Sequence, residues 1–99
     1  MIIADLIKGH KISLVTDAGT PLVSDPGYEL IKKITSKFSV IPIPGPSSLT
    51  CALSVSMIPI NNFIFLGFLS KKNSERVDKI KTASNINMPM VIYESKHRI

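Results

Sequence analysis

Two loops rich in proline and glycine, each directly following a β-prone run, constrain this chain more than any other feature. The first, DAGTPLVSDPG over residues 17–27, follows ISLVT at 12–16; the second, PGPSS over 44–48, follows SVIPI at 39–43. Short apolar, β-branched runs bounded by turn residues read as strands. Pro42 lacks the N–H that a central ladder needs, which puts the second strand at a sheet edge or ends it there. Between the loops, Leu30, Ile31 and Ile34 recur at helical spacing with Lys32, Lys33 and Lys37 on the other side, predicting a helix over 28–37. Its late lysines suit the helix dipole. A small-residue helix follows at about 47–56. Residues 2–9 read as the tail of a helix stopped by Gly9. Strand, helix, strand, helix is the order of an α/β fold with a parallel sheet and crossover helices.

Residues 57–62, with Pro59 and two asparagines, read as a boundary. Beyond them FIFLGF (63–68) predicts a strand, 74–84 a polar helix capped by Ser74, and MVIY (90–93) another strand. The expected organisation is the C-terminal part of a first domain over 1–58 and the start of a second α/β domain over 59–99. Composition closes off several classes. A 99-residue chain that is 44% hydrophobic and 19% charged is too apolar for a disordered tail. Each apolar run is interrupted well short of the ~20 residues that cross a bilayer. The first residues carry Asp5 early and lack a basic start and a small-residue cleavage site, so no signal peptide is expected. The single cysteine, Cys51, excludes an internal disulfide and a zinc cluster. It is read as a core residue of its helix, and the expected compartment is the cytoplasm.

The net charge of +5 is uneven, with most of the excess after residue 50, around Lys71, Lys72, Arg76, Lys79 and Lys81 and in the end Lys96-His97-Arg98. Such a surface can steer a polyanion, or can be an ordinary solvated helix face.

In an open α/β sheet, ligands bind outside the carboxyl ends of the strands, where both loops fall. In the first, Gly19 allows close backbone approach and Pro21 and Pro26 restrict the chain around it. Ser24 or Asp25 is expected to cap the next helix. Asp17 has no capping role, and sits where a ribose hydroxyl or a cation is met. In the second, Ser47 and Ser48 add hydroxyls to a helix start whose N–H groups suit a carboxylate or phosphate. Neither loop has the dinucleotide glycine fingerprint or a phosphate-binding P-loop.

Taken in order, DAGTPLVSDPG, IPIPGPSS, FLGFLSKK and VIYESKHRI resemble the ribosomal RNA small subunit methyltransferase I group of the tetrapyrrole methylase superfamily. The resemblance runs from about Ile12 to Arg98. It implies a two-domain α/β enzyme, usually a homodimer, with S-adenosylmethionine in the cleft between domains. Its reaction would be methylation of the ribose 2′-oxygen of a cytidine in small-subunit ribosomal RNA. Carried over residue by residue, the resemblance points to Ala18, Gly19, Thr20, Val23, Ser47 and Ser48 as cofactor contacts and to Glu94 as lining the cleft. A ribose hydroxyl is a poor nucleophile near neutral pH, so a base is expected, with Asp17, Glu94 and His97 as candidates. With RNA as the expected substrate, Lys71, Lys72, Arg76 and Arg98 are the expected phosphate contacts. Tyr93 and Phe68 are expected to pack rather than to stack on bases. The family begins with a strand and a PxGNxGD loop that this chain lacks, so the expectation is a piece of the enzyme. Two other readings stay open: part of a corrin or porphyrin-precursor methyltransferase, and a non-catalytic remnant that binds RNA.

Overall fold

A computed structural model describes residues 2–34 and 36–99. The elements in chain order are α1 (Ile2–Ile7), α2 (Tyr28–Ile34), α3 (Ser48–Ser54), β1 (Ile64–Phe68), α4 (Asn73–Ser84) and β2 (Met90–Tyr93). The chain divides after Ser47 into two compact units.

In the first unit, α1 stops where Gly9 turns left-handed at φ +85°, and its last carbonyls are taken up by the amides of Lys8, Gly9 and His10. That is the expected glycine stop. The helix read over 28–37 is α2. It ends at Ile34, whose carbonyl accepts from the amides of Lys37 and Phe38 at 2.9 Å each, and Thr35 lies outside the described residues. The expected cap needs correcting. Gly27, not Ser24 or Asp25, immediately precedes the helix, and its carbonyl accepts from Leu30 and Ile31 at 3.1 and 3.0 Å. The β-prone runs at 12–16 and 39–43 also depart from expectation, since neither joins a ladder. A strand is held by its neighbour's backbone, and among the described residues neither run has one. Their side chains stay out accordingly: Val15 is 82% and Ile43 79% exposed. Ile34 is the buried apolar residue here.

In the second unit, α3 ends two residues before Ser56 because serines close it. Ser54 Oγ donates to the Cys51 carbonyl at 2.8 Å, and Ser56 Oγ to that of Leu53 at 2.9 Å. Leu53 is buried, but Cys51 is exposed, so the core role read for it is corrected. On a helix of this length only one face is covered, and Cys51 lies off it.

The strand–helix–strand expected after residue 62 is present. β1 and β2 pair in parallel, Ile64 with Met90, Phe65 with Val91, Gly67 with Ile92 and Phe68 with Tyr93. A parallel pair needs a long crossover, and α4 lies within it. Leu66 is the extra residue of a bulge, next to Gly67 at φ +62°. Its carbonyl accepts from Lys79 Nζ at 2.8 Å, tying α4 to the strand. With Leu53, Leu69 and Ala83 are the buried apolar residues among those described in this unit.

Ser74 is not the cap of α4. The helix starts at Asn73 with Lys72 before it, which makes no side-chain capping bond. The cap is built farther back. Ser70 Oγ accepts from the Lys72 amide at 3.1 Å and donates to Glu75 Oε2 at 2.8 Å, while Lys72 Nζ donates to Glu75 Oε1 at 2.9 Å. These bonds hold the Glu75 carboxyl below its ordinary range, the Lys72 ammonium foremost and the Ser70 hydroxyl next. No described helix is long and apolar enough to cross a membrane.

Candidate functional site

The 17–27 loop owes its course to residues with left-handed backbone. Gly19 (φ +77°) and Gly27 (φ +127°) adopt it freely, but Leu22 (φ +72°) and Ser24 (φ +63°) do not. A side chain held at positive φ costs about 1–3 kcal/mol and persists only where its surroundings impose it. Steric fit does so here. A Cβ on Gly27 would lie 3.0 Å from Leu14 Cδ2, so the bare glycine is what admits that leucine, and 3.7 Å from Leu22 Cδ1, an ordinary contact. At the other end of the loop, a Cβ on Gly19 would stand 3.6 Å from the Pro46 carbonyl oxygen. The two loops singled out from the sequence therefore come within a side chain's reach of each other in the first unit.

Asp17, Ala18, Gly19 and Thr20 are exposed, as is Val23, while Ser47 is half-buried and hydrogen-bonded or otherwise engaged. Just before them, the Thr16 hydroxyl is buried and finds no hydrogen-bond partner among the described residues. A buried polar atom without a partner is uncommon and marks a place that a ligand or water completes.

The second unit collects its polar side chains at the carboxyl edge of β1 and β2. Ser48 Oγ donates to Tyr93 Oη at 2.9 Å. The Tyr93 ring meets Phe65 edge-on at 4.9 Å between centroids and Phe68 at 5.5 Å and 57°. Glu94 is committed on both oxygens: Oε1 accepts from the Ser95 amide at 2.7 Å, and Oε2 pairs with Arg98 Nη2 at 3.3 Å. Arg98 also donates to the carbonyls of Leu69 and Ser70, at 3.3 Å each. Arg76 reaches the same Ser70 carbonyl at 3.4 Å and Asn73 Oδ1 at 2.7 Å. Two guanidinium groups thus converge on one carbonyl, clamping the chain that leaves β1 to the chain that leaves β2.

This changes what the basic residues do. Of the four read as phosphate contacts, Lys72, Arg76 and Arg98 are held in intramolecular bonds, and Lys71 alone points no bond inward among the described residues. Lys71 lies beside an open concavity of about 690 Å³ whose wall includes Phe68, Glu94, His97 and Arg98. The His97 amide donates to Ser95 Oγ at 3.2 Å, which leaves its imidazole clear. Sequence reasoning had no signal for the arginine clamp, since the bonds go to backbone carbonyls nearly thirty residues away. Phe68 was read as packing; it meets Tyr93 at a tilt and is still 55% exposed. No group of three or more His, Cys, Asp or Glu residues that could hold a metal occurs among the described residues.

The whole chain, residues 1–99, matches the family model described as tetrapyrrole (corrin/porphyrin) methylases. It is 46% identical over 99 residues to a protein of Xylella fastidiosa named ribosomal RNA small subunit methyltransferase I, covering 99% of this chain and 36% of the relative. The protein of the same name from Buchnera aphidicola is also 46% identical over 99 residues, with 99% and 35% covered. The one from Vibrio cholerae is 42% identical over 100 residues, with 100% and 35% covered. The chain spans about a third of the length of these curated relatives.

Proposed function

The chain belongs to the tetrapyrrole methylase family, and from that premise we propose that it is part of an S-adenosylmethionine-dependent methyltransferase. Its substrate is small-subunit ribosomal RNA, and its acceptor the 2′-oxygen of a cytidine ribose. The observation that carries the reading is the approach of Gly19 to the Pro46 carbonyl, which brings together the two loops of the family pattern.

The residues present fit the cofactor. A left-handed glycine, at which a side chain would be strained, an exposed loop backbone and the unsatisfied Thr16 hydroxyl are the features a bound cofactor would meet. Ala18, Gly19, Thr20, Val23, Ser47 and Ser48 would hold it. S-adenosylmethionine, when bound, supplies an electrophilic methyl group on a sulfonium sulfur. The protein's share is to keep acceptor hydroxyl and methyl in line, which accounts for much of the rate in such displacements. The hydroxyl's proton also needs an acceptor. Glu94 is engaged by Arg98 and the Ser95 amide, whereas Asp17 and the His97 imidazole have no partner among the described residues. The proton therefore goes to Asp17 or His97, with Glu94 as a positioning residue that holds the 94–98 segment.

The architecture proposed for the whole enzyme is a cytoplasmic homodimer in which residues 1–58 are the C-terminal part of the cofactor-binding first domain and residues 59–99 the start of the second. Calorimetric titration of this chain with S-adenosylmethionine tests the cofactor reading. Binding is expected, weakened by Asp17→Ala and abolished by Gly19→Val; equal affinity in all three chains would discard the assigned site. Methyl transfer by the full-length protein to small-subunit RNA, and not to a uroporphyrinogen-type acceptor, separates the RNA reading from the corrin or porphyrin one. Salt-dependent RNA binding without cofactor binding would leave the remnant reading.

A further inference from the structure

We propose that the concavity at the carboxyl edge of β1 and β2 receives one unpaired nucleotide of RNA, with the base stacked on Phe68 and the adjoining phosphate met by Lys71. The inference rests on the RNA reading above and names the part of the protein that does the reading.

Phe68 is a large aromatic side chain held in place and left open. Its ladder partner Tyr93 meets the ring at a tilt, and Phe68 lines the concavity. Exposed aromatic rings of this kind are what unstacked bases lie against, and they are of no use to a duplex, whose bases are already stacked. The rim has the sign a phosphate needs. Glu94, the acidic group on it, is neutralised by Arg98, so Lys71 presents its ammonium without a competing carboxylate. The volume, about 690 Å³, falls in the range of roughly 300–1,000 Å³ typical of small-ligand sites. An apolar wall with a cationic rim matches a nucleotide, which offers a flat apolar face and an anion. Arg98 does not touch the ligand in this arrangement; it holds the Leu69 and Ser70 carbonyls, and thereby the residue after them, Lys71, at the rim.

The test uses the 99-residue chain with a short single-stranded RNA carrying the fluorescent base 2-aminopurine. The wild-type chain should bind and quench it. Phe68→Ala should weaken binding roughly tenfold and remove the quenching, while Phe68→Tyr, which keeps the ring, should retain both. Lys71→Gln should keep the quenching but lower the slope of log affinity against log salt by about 0.7. If the RNA binds but Phe68→Ala behaves as wild type, the stacking site is wrong and the RNA reading stands. If the chain binds no RNA at low salt, both fall. If Phe68→Ala changes only self-association in sedimentation, a second copy of the chain covers the ring and the proposal is overturned.

Discussion

The loop at 17–27 and the segment at 69–76 both lead into a helix, yet they are held by different means. The first relies on fit: Gly27 without a side chain admits Leu14, and Gly19, Leu22, Ser24 and Gly27 all bear left-handed backbone. The second relies on charge-assisted bonds: Ser70 with Lys72 and Glu75 on one side, Arg76 and Arg98 on the other. A loop held by fit keeps its polar atoms free, as the exposed Asp17 and Thr20 are, and can offer them to a ligand. A loop held by its own side chains has those side chains engaged, and what it offers is the neighbour they leave over, Lys71.

The contrast breaks first at Gly27. Gly27→Ala adds a Cβ 3.0 Å from Leu14 at φ +127°, and should destabilise the first unit by about 2–3 kcal/mol. Urea unfolding followed by exchange of the α2 amides reads this, and the β1 and β2 amides should be unaffected. Equal stability would mean that fit does not hold the loop.

The second segment should be indifferent to added methyls and sensitive to lost charge. Arg98→Gln removes the Glu94 pair and weakens two carbonyl contacts at a site only about a quarter exposed, for an expected loss of about 1–2 kcal/mol. Arg98→Lys should recover less than half of it, because an ammonium lacks the planar fork that serves several acceptors at once. Full recovery by lysine would reduce the clamp to a point charge.

Smaller again is Ser48→Ala, about 0.5 kcal/mol for one exposed bond to Tyr93. Tyr93→Phe should cost the same, and the double variant no more than either alone.

The last effect is one of pH. Glu75 has its pKa lowered by Lys72 first and Ser70 second, so the anchor of α4 is fully present above the unfolded value of 4.5. It weakens as pH falls below that value and is lost once pH passes the folded one. A fall in helical circular dichroism over that acid range is expected, and Glu75→Gln should abolish it.

How much of this was legible beforehand differs along the chain for physical reasons. β1, α4 and β2 were visible as an apolar run, a polar helix and a second apolar run, because each finds its partner within thirty residues. The runs at 12–16 and 39–43 have the same composition and form no ladder, since composition specifies a strand's willingness to pair but not the presence of a neighbour. The two loops were identifiable from their glycines and prolines. That Gly19 and Pro46 come close was not, because proximity between segments so far apart depends on the packing between them. The basic cluster was visible as charge. Which cations are free was not, since it turns on bonds to the carbonyls of Leu66, Leu69 and Ser70, and a carbonyl looks alike in every sequence.

The bulge at Leu66 has an outcome for parity. In an uninterrupted strand, residues three apart face opposite ways, so Phe65 and Phe68 would lie on different sides of the sheet. One extra residue between them restores them to the same side, where both meet Tyr93, as the paired positions Val91 and Tyr93 require. The strand therefore counts its residues in a broken alternation. Deleting Leu66 would remove the bulge and leave Phe65, Gly67 and Phe68 in plain alternation, with Phe68 still opposite Tyr93. Drawing Leu66 into the ladder, by contrast, would shift the register by one and turn Phe68 to the other side of the sheet.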